Sequence, residues 1–133
     1  MDARAAAARW AATWQRAWVA GEADAIVALY ADDARFTSQP FRPVEVGRDG
    51  LRGYIEAAFR DESDVRAWFG VPIVDGARAS VEWWAALRED GEEVTLAGTS
   101  TLAFDGDGLV VEQRDSWNLA PGRSDPPEGW GGR

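Results

Sequence analysis

The sequence predicts an α+β fold, with helices packed on one face of an antiparallel sheet. Two observations predict it. In roughly the first half of the chain, apolar residues recur at helical spacing, while the second half alternates apolar and polar residues in long runs. Tight turns that contain Gly join those runs, which is typical of an antiparallel meander. Helices first and a long meander after indicate the α+β class.

The amino-acid composition limits the chemistry. The chain has 133 residues, enough for one domain with one core, and 46% of them are hydrophobic. It contains no cysteine, histidine or lysine, so acid–base chemistry falls to Asp, Glu or Tyr. Its glycine pattern fits neither a phosphate loop nor a dinucleotide fold. We therefore expect no metal and no organic cofactor.

Charge and hydropathy bear on partners and location. The formal net charge of -9 argues against nucleic acid and anionic membranes as partners. No apolar run is long enough to cross a bilayer, and the N-terminal residues lack the compact apolar segment of a secretion signal. Together with the absence of cysteine, this predicts a cytoplasmic protein. Eight tryptophans exceed the needs of one small core, which indicates an aromatic-lined cavity or an interface.

The first predicted helix spans residues 3–19. Trp10, Trp14 and Trp18 recur every four positions there, so the three rings share one helix face. We interpret that face as directed at the core, with the last ring, Trp18, extending toward a ligand. Gly21 follows the helix where a left-handed cap residue is expected, and it ends the helix.

Two further helices and a short strand complete the first half of the chain. The second helix is predicted over residues 22–30, and the strand over residues 34–37. A loop rich in proline follows the strand. The third helix is predicted over residues 51–59, with Asp49 as its N-cap and a regular apolar face.

The second half of the chain is predicted to be a meander of four strands. They span residues 65–74, 79–88, 94–104 and 109–119. Residues 1–120 then form one domain, and residues 121–133 form a Pro/Gly-rich C-terminal tail, expected to be loose apart from Trp130 as an anchor.

The last hairpin suggests a buried acid. If residues 105–108 form a four-residue turn, Phe104 faces Leu109, and counting outward pairs Gly98 with Asp115. Strand alternation then directs Asp115 to the more apolar face, which should meet the helices. A carboxylate beside a residue that has no side chain leaves space near a polar group, as a binding site requires.

The strand register decides whether each of the two candidate carboxylates faces the core or the solvent. A bulge or a one-residue change in the turn would send Asp115 to solvent, where it would pair with a nearby Arg. The middle strand is open in the same way. A four-residue turn at residues 89–92 places Trp83 inside, whereas a slip of one residue places Glu82 and Trp84 inside instead.

Several segments resemble the SnoaL-like branch of the nuclear-transport-factor-2-like superfamily. They are the tryptophan-rich first helix, the segment GEADAIVALYADDARF, the proline loop followed by VGRDGLRGYI, and the ending DGLVVEQRDSWN. The resemblance covers nearly the whole chain. It implies a cone-shaped roll, in which three N-terminal helices cover the concave face of a strongly curved antiparallel sheet. It also implies a small-molecule pocket and a homodimer joined through the sheet.

Within that superfamily, the ending of the chain resembles the limonene epoxide hydrolase family. The pair Arg114–Asp115 matches the Arg-Asp of that family, whose carboxylate activates a water. Phe36 and Ser38 stand where that family has the Tyr and Asn that hold the water. The resemblance implies Glu82 as the second carboxylate on the middle strand, and it favours the register that turns Glu82 inward.

Three functions fit these features. The first is a cofactor-independent isomerase, cyclase or hydrolase that acts on a hydrophobic small molecule, with Asp115 and Glu82 as catalytic residues. The second is a non-catalytic binding module for a hydrophobic or aromatic ligand, and the third is a structural dimeric domain. The predicted substrate-binding residues are Trp14, Trp18, Phe36, Ser38, Tyr54, Trp84, Gly98 and Gln113.

Overall fold

Three helices and seven strands make up the protein, as seen in a computed structural model that describes residues 1–133. The helices are α1 (Ala3–Ala20), α2 (Ala23–Val27) and α3 (Gly47–Asp61). The strands are β1 (Tyr30–Thr37), β2 (Glu45–Val46), β3 (Glu62–Phe69), β4 (Ile73–Asp75), β5 (Arg78–Glu89), β6 (Glu92–Phe104) and β7 (Val110–Pro121). The prediction of an α+β fold is confirmed, with helices preceding most of the sheet.

Helix α1 is the first element of the core. Asp2 caps it, since its side chain accepts from the backbone N–H of Ala5 over 2.8 Å. Gly21 ends the helix in the left-handed conformation, at φ 71°, as predicted. Trp10 and Trp14 are buried on one face, and Trp18 packs partly buried behind them. The tryptophan stripe therefore faces the core.

The second helix is shorter than predicted. Helix α2 ends at Val27, and Tyr30 opens strand β1 instead of closing the helix. The backbone N–H of Val110 donates to the carbonyl of Leu29 over 2.9 Å, and Tyr30 is the partner of Val110 in the ladder with β7. Pairing with a strand eighty residues away on the chain thus overrides the local helical pattern.

Helix α3 begins earlier than predicted, at Gly47. Val46 is its N-cap residue and makes no side-chain capping bond, while Asp49 lies inside the first turn. Asp49 as N-cap was therefore wrong, although its charge there still suits the helix dipole. Gly47 has φ 76°, and a Cβ on it would lie 3.2 Å from the carbonyl oxygen of Asp32, so glycine suits this entry.

The strands form one open, mixed sheet. Their order is β2-β1-β7-β6-β5-β3, and β4 pairs with β5 beside this path. Five of the pairs are antiparallel and only β1–β7 is parallel. The helices lie on one face, where α1 contacts β3 and β5, and α3 contacts β1. The core of buried residues fills the space between the helices and this concave face.

The last hairpin has a different register from the predicted one. Phe104 pairs with Val110, and a bulge then makes Ala103 pair with Glu112, so Ser100 rather than Gly98 lies opposite Asp115. The loop is one residue longer than expected and the bulge adds a second residue. Two one-residue shifts restore the alternation of the strand, and Asp115 therefore remains on the concave side.

The first predicted strand of the meander is in fact two strands. Gly70, Val71 and Pro72 interrupt it, so β3 ends at Phe69 and β4 starts at Ile73. At this break the backbone of Gly70 packs closely against that of Gly131. A Cβ on Gly70 would lie 3.0 Å from the Cα of Gly131, so glycine suits this position.

The C-terminal tail docks on the sheet rather than hanging loose. The Thr95 hydroxyl donates to the Gly122 carbonyl over 2.8 Å and accepts from the Ser124 N–H over 2.9 Å. The Val71 N–H donates to the Gly131 carbonyl over 2.7 Å. Trp130 lies in a short 3₁₀ helix close to that contact and is half-buried. The tail thus runs from β6 to the break between β3 and β4.

None of the helices is both long enough and apolar enough to span a membrane.

Candidate functional site

A cavity opens between the helices and the concave face of the sheet. The centre of a water-sized sphere can move through about 70 Å³ of it, and the atom-free space around that volume, which includes open solvent, is about 570 Å³. Twelve of its sixteen lining residues are hydrophobic. Those twelve are Trp10, Trp14, Trp18, Phe36, Tyr54, Ile55, Ala58, Phe59, Phe69, Trp83, Leu96 and Trp117. The other four are Glu62, Ser100, Gln113 and Asp115. A mostly apolar cleft with a few convergent polar groups is typical of a small-molecule site.

Asp115 presents one carboxylate oxygen to this cavity. Its Oδ1 accepts from the Ser100 hydroxyl over 2.6 Å and from the Gln113 side-chain amide over 3.0 Å. Its Oδ2 has no hydrogen-bond partner in the protein. Among the fully buried side-chain nitrogen and oxygen atoms, only Arg9 Nε lacks a hydrogen-bond partner. Asp115 Oδ2 also lacks a partner and is not among those atoms, so it keeps some accessible surface. Since Asp115 lines the cavity, that surface is available to a ligand.

The direction of the hydrogen bonds around Asp115 follows from the indole groups. An indole N–H can only donate, so Trp14 donates to the Tyr30 hydroxyl oxygen over 3.1 Å. Tyr30 in turn donates to Gln113 Oε1, which turns the amide nitrogen of Gln113 toward Asp115. These contacts fix the orientation of the Gln113 side chain.

A second chain of hydrogen bonds reaches the same oxygen from the sheet. Trp83 Nε1 donates to the Ser100 hydroxyl over 3.0 Å, and Ser100 donates to Asp115. Both chains therefore begin at donor-only indoles and end at Asp115 Oδ1. Ser100 and Gln113 are almost completely buried, which the complete pairing of their polar atoms permits.

The pKa of Asp115 is raised to about 7. Burial among aromatic rings is the main cause, because it disfavours the charged form. The hydrogen bonds from Ser100 and Gln113 act the other way and lower the pKa. Burial also raises the pKa of the Tyr30 hydroxyl well above its usual value, so Tyr30 stays a neutral donor to Gln113. The result is a carboxyl group that can gain or lose a proton near neutral pH.

Glu62 is a second carboxylate at the cavity, and sequence reasoning missed it. It stands where α3 ends and β3 begins, and its Oε1 accepts from Trp18 Nε1 over 2.8 Å. Burial raises its pKa to about 7, the Trp18 bond lowers it, and the neighbouring acids Glu89 and Asp61 raise it further. The partner Trp18 is forty-four residues away, so no local pattern marks Glu62.

Six of the predicted site residues line the cavity together. They are Trp14, Trp18, Phe36, Tyr54, Gln113 and Asp115. The ring of Tyr54 lies 5.1 Å from that of Phe36, and burial raises the pKa of its hydroxyl. The structure thus brings these side chains to one place, while their roles toward a ligand remain proposals.

Glu82 and Trp84 lie outside the cavity, and the register that turned them inward was wrong. Glu89 pairs with Glu92 around a two-residue turn, in which Asp90 and Gly91 both have positive φ. Strand alternation from that pair directs Trp83 to the concave side and the exposed Glu82 to the outer face. Glu82 therefore cannot be the second carboxylate of this cavity.

Ser38 and Gly98 support the cavity wall without lining it. The Ser38 carbonyl accepts from Trp117 Nε1 over 2.6 Å, and this bond holds the ring at the wall. Gly98 lies opposite Trp117, where a Cβ would come within 2.5 Å of the Trp117 Cβ. Gly98 therefore permits the close approach of β7. The prediction that it provides space beside Asp115 was wrong.

The side chains of the protein offer no evident metal site. The structure contains no group of three or more His, Cys, Asp or Glu side chains that could hold a metal ion. The expectation that the protein needs no cofactor stays a prediction.

The fold and the cavity together define a class of protein. An open, curved sheet with three helices over a mostly apolar cavity is the nuclear-transport-factor-2-like α+β cone. The chain belongs to the SnoaL-like domain family, whose model matches residues 7–113. The predicted resemblance is thereby confirmed.

Solved structures with the same fold are distant in sequence. The epoxide hydrolase/cyclase-like enzyme SalBIII, described in pyran ring formation in polyether salinomycin, is 19% identical with a TM-score of 0.73, over 83% of this chain and 91% of its own. RV0760c from Mycobacterium tuberculosis is 14% identical with a TM-score of 0.76, over 88% of this chain and 96% of its own.

A third structure is a hypothetical protein with a ketosteroid isomerase-like fold from Catenulispora acidiphila DSM 44928, in complex with trimethylamine. It is 16% identical with a TM-score of 0.70, over 78% of this chain and 81% of its own. No curated protein matches the chain significantly. At these identities the likeness concerns the fold alone.

Proposed function

We propose that the protein is a cofactor-independent enzyme that acts on a hydrophobic small molecule, with Asp115 as its acid–base group. The observation that carries the proposal is the free Oδ2 of Asp115, which faces an apolar cavity while Oδ1 is held by two donors. A carboxyl group with a pKa of about 7 is half ionised at neutral pH, which suits both halves of a proton transfer.

The chemistry proposed for Asp115 is a proton transfer at carbon or oxygen. In an isomerisation, Oδ2 takes a proton from a carbon next to a carbonyl, and the same carboxyl group returns it elsewhere on the substrate. In the hydrolysis or cyclisation of an epoxide, Oδ2 takes the proton of an attacking water or hydroxyl group as a C–O bond of the ring breaks, and the carboxyl group then returns that proton to the former ring oxygen. Both reactions need the carboxylate fixed in orientation, which the bonds from Ser100 and Gln113 provide.

The experiment compares the wild type with Asp115→Asn on a panel of hydrophobic ketones, enones and epoxides. Asn keeps an oxygen acceptor for Ser100 and Gln113 and loses the base, so turnover should fall by about 10²–10⁴-fold with the fold intact. The control is Glu82→Gln, which changes an exposed acid on the outer face. Equal turnover by the wild type and Asp115→Asn would reject Asp115 as the acid–base group.

The second candidate function is a non-catalytic binding module for a hydrophobic or aromatic ligand. The number of rings at the cavity favours it, because five of the eight tryptophans line the wall. Binding without turnover on the whole panel, with a similar affinity in Asp115→Asn, would favour this function over the enzyme.

We also propose a homodimer and a cytoplasmic location. The outer sheet face offers small side chains in the middle of β6, such as Ala97, Thr99 and Thr101, which suit packing against a second copy. The cysteine-free composition supports the location. Light scattering that returns a monomer mass at tens of micromolar, an ordinary working range, would reject the dimer, and cell fractionation tests the location.

A further inference from the structure

The polar part of the cavity wall carries negative charge with no positive charge to balance it. Of its four polar lining residues, Glu62 and Asp115 are acids, and Ser100 and Gln113 are neutral. The chain has no lysine or histidine, and no arginine lines the cavity. In enclosed sites, acids are normally paired with a cation or with hydrogen-bond donors. Here each carboxylate has one oxygen bonded to the protein and one without a protein partner.

One arginine, Arg42, packs on a lining residue without lining the cavity itself. The guanidinium of Arg42 lies 5.3 Å from the centre of the Trp117 ring, and one of its nitrogens donates to the Ser38 hydroxyl over 3.2 Å. Arg42 is itself exposed and is not among the lining residues. Arg42 therefore packs on Trp117, and neither Glu62 nor Asp115 forms an ion pair with it or with any other arginine.

The two carboxylates are linked through a pair of aromatic rings. Trp18 and Trp83 meet edge to face, with ring centres 5.7 Å apart. The N–H of Trp18 donates to Glu62, while the N–H of Trp83 donates to Ser100, which donates to Asp115. The faces of aromatic rings attract cations, most strongly when water is excluded. The aromatic rings and the carboxylates of this cavity thus both favour a cationic ligand.

We propose that the cavity selects a hydrophobic ligand that carries a positively charged amine, with the ammonium group facing the carboxylates of Glu62 and Asp115 and the rings of Trp18 and Trp83. This inference rests on the proposed function, because it names the class of ligand for the same cavity. Under the enzyme proposal, the substrate is an amine-bearing molecule whose ammonium group lies closest to Glu62 and the rings, so that Asp115 Oδ2 meets the reacting carbon.

The charged groups around the two acids set the expected pH dependence. Asp61 of α3 and Glu89 of β5 lie near Glu62 and add negative charge. Near Asp115 stand the hydroxyls of Tyr30 on β1 and Tyr54 on α3, which are neutral at these pH values. Helix α1 faces the acids with indole N–H groups rather than charges.

Both acids have pKa values of about 7, so ionisation of Glu62 and Asp115 should increase the affinity for a cation as pH rises through 7.

A matched pair of probes separates charge from shape. Choline and 3,3-dimethylbutan-1-ol have the same shape, and they differ by a charged nitrogen in place of a carbon. Neither titrates between pH 5 and pH 9, so a change in their relative affinity reports the protein. Binding is followed by tryptophan fluorescence and by ligand-observed NMR. The neutral probe is the more hydrophobic, so burial alone would favour it.

We expect choline to bind about tenfold more tightly than the alcohol at pH 8.5, with the preference lost at pH 5.5. Glu62→Gln and Asp115→Asn should each weaken choline several-fold and leave the alcohol unchanged, while the control Glu82→Gln alters neither. Tighter binding of the alcohol at pH 8.5 would overturn the amine inference and leave the proposed enzyme intact. Binding of neither probe at tens of millimolar would also overturn it, and the turnover comparison of Asp115→Asn would then decide the proposed function separately.

Discussion

Asp115 lies directly opposite Ser100 in the ladder between β6 and β7, and the Ser100 hydroxyl donates to Asp115 Oδ1 over 2.6 Å. This cross-strand pair fixes one carboxylate oxygen and leaves the other free at the cavity. Ser100 can donate to Asp115 because Trp83 supplies the hydrogen bond that its oxygen accepts. The pair thus connects a buried indole to the candidate acid–base group.

The first prediction concerns the titration of Asp115. We expect its side-chain carboxyl, followed by NMR, to titrate with a midpoint of about 7, because burial outweighs the bonds from Ser100 and Gln113. If Asp115 acts as a base, turnover should rise with pH through the same midpoint. A midpoint near ~3.9, the value of an exposed Asp, would contradict both the burial and the assigned role.

The second prediction concerns stability against pH. The folded pKa of Asp115 is above its value in the unfolded chain, so its contribution to stability is complete below about pH 4 and is lost as pH rises through 7. Asp115→Asn removes the buried charge and should stabilise the protein above pH 7 by on the order of 2 kcal/mol. This is less than the full free energy of the pKa shift, because the side chain keeps some accessible surface.

Urea unfolding at pH 4 and at pH 8.5 measures this difference. We expect Asp115→Asn and the wild type to differ far more at pH 8.5 than at pH 4. Glu82→Gln serves as the control, because its side chain is exposed on the outer face. The same stability difference at both pH values would show that Asp115 carries no buried charge.

The third prediction compares two glycines. A Cβ on Gly98 would come within 2.5 Å of the Trp117 Cβ and collide with the backbone of β7, so Gly98→Ala should destabilise the fold by about 1–3 kcal/mol. Gly53 lies in α3, and no atom lies within 4 Å of the place where its Cβ would be, so Gly53→Ala should stabilise by about 0.5–1 kcal/mol. Equal effects of the two changes on the free energy of unfolding would refute the close approach.

The fourth prediction concerns the tail. Deleting residues 122–133 removes both bonds to the Thr95 hydroxyl and the bond that Arg133 donates to the Phe69 carbonyl over 3.1 Å. Each of these bonds contributes about 0.5–1.5 kcal/mol, so the deletion should cost about 1–3 kcal/mol of unfolding free energy. An unchanged urea midpoint after the deletion would mean that the tail does not dock in solution.

Local pattern was sufficient for the helix that carries the tryptophan stripe. The four-residue spacing of Trp10, Trp14 and Trp18 directs them to one face, and Gly21 ends the helix, both of which depend only on neighbouring residues. Only the second half of strand β1 was predicted, as residues 34–37, and its start could not be recognised in the same way. Its first residue, Tyr30, pairs with Val110, and nothing near Tyr30 in the sequence signals that partner.

Of the two acids at the candidate site, the sequence pointed to Asp115 and not to Glu62. The concave orientation of Asp115 was predicted from a four-residue turn that the chain does not have. It holds because the longer loop and the bulge each add one residue, so the two shifts cancel and Asp115 lies opposite Ser100 rather than Gly98. Glu62 could not be predicted, because its position at the cavity depends on how α3 and α1 pack over the sheet.

The sequence by itself determined the α+β class, the helix with the tryptophan stripe and the strands of the meander, since periodicity and turn residues act over a few positions. Tertiary structure decided the registers at Glu82 and Gly98, the pairing of Glu62 with Trp18, and the docking of the tail. Each of these depends on contacts between distant parts of the chain. A one-residue bulge or a two-residue turn changes which side chain faces the cavity at little local cost, so only the packed fold selects among the alternatives.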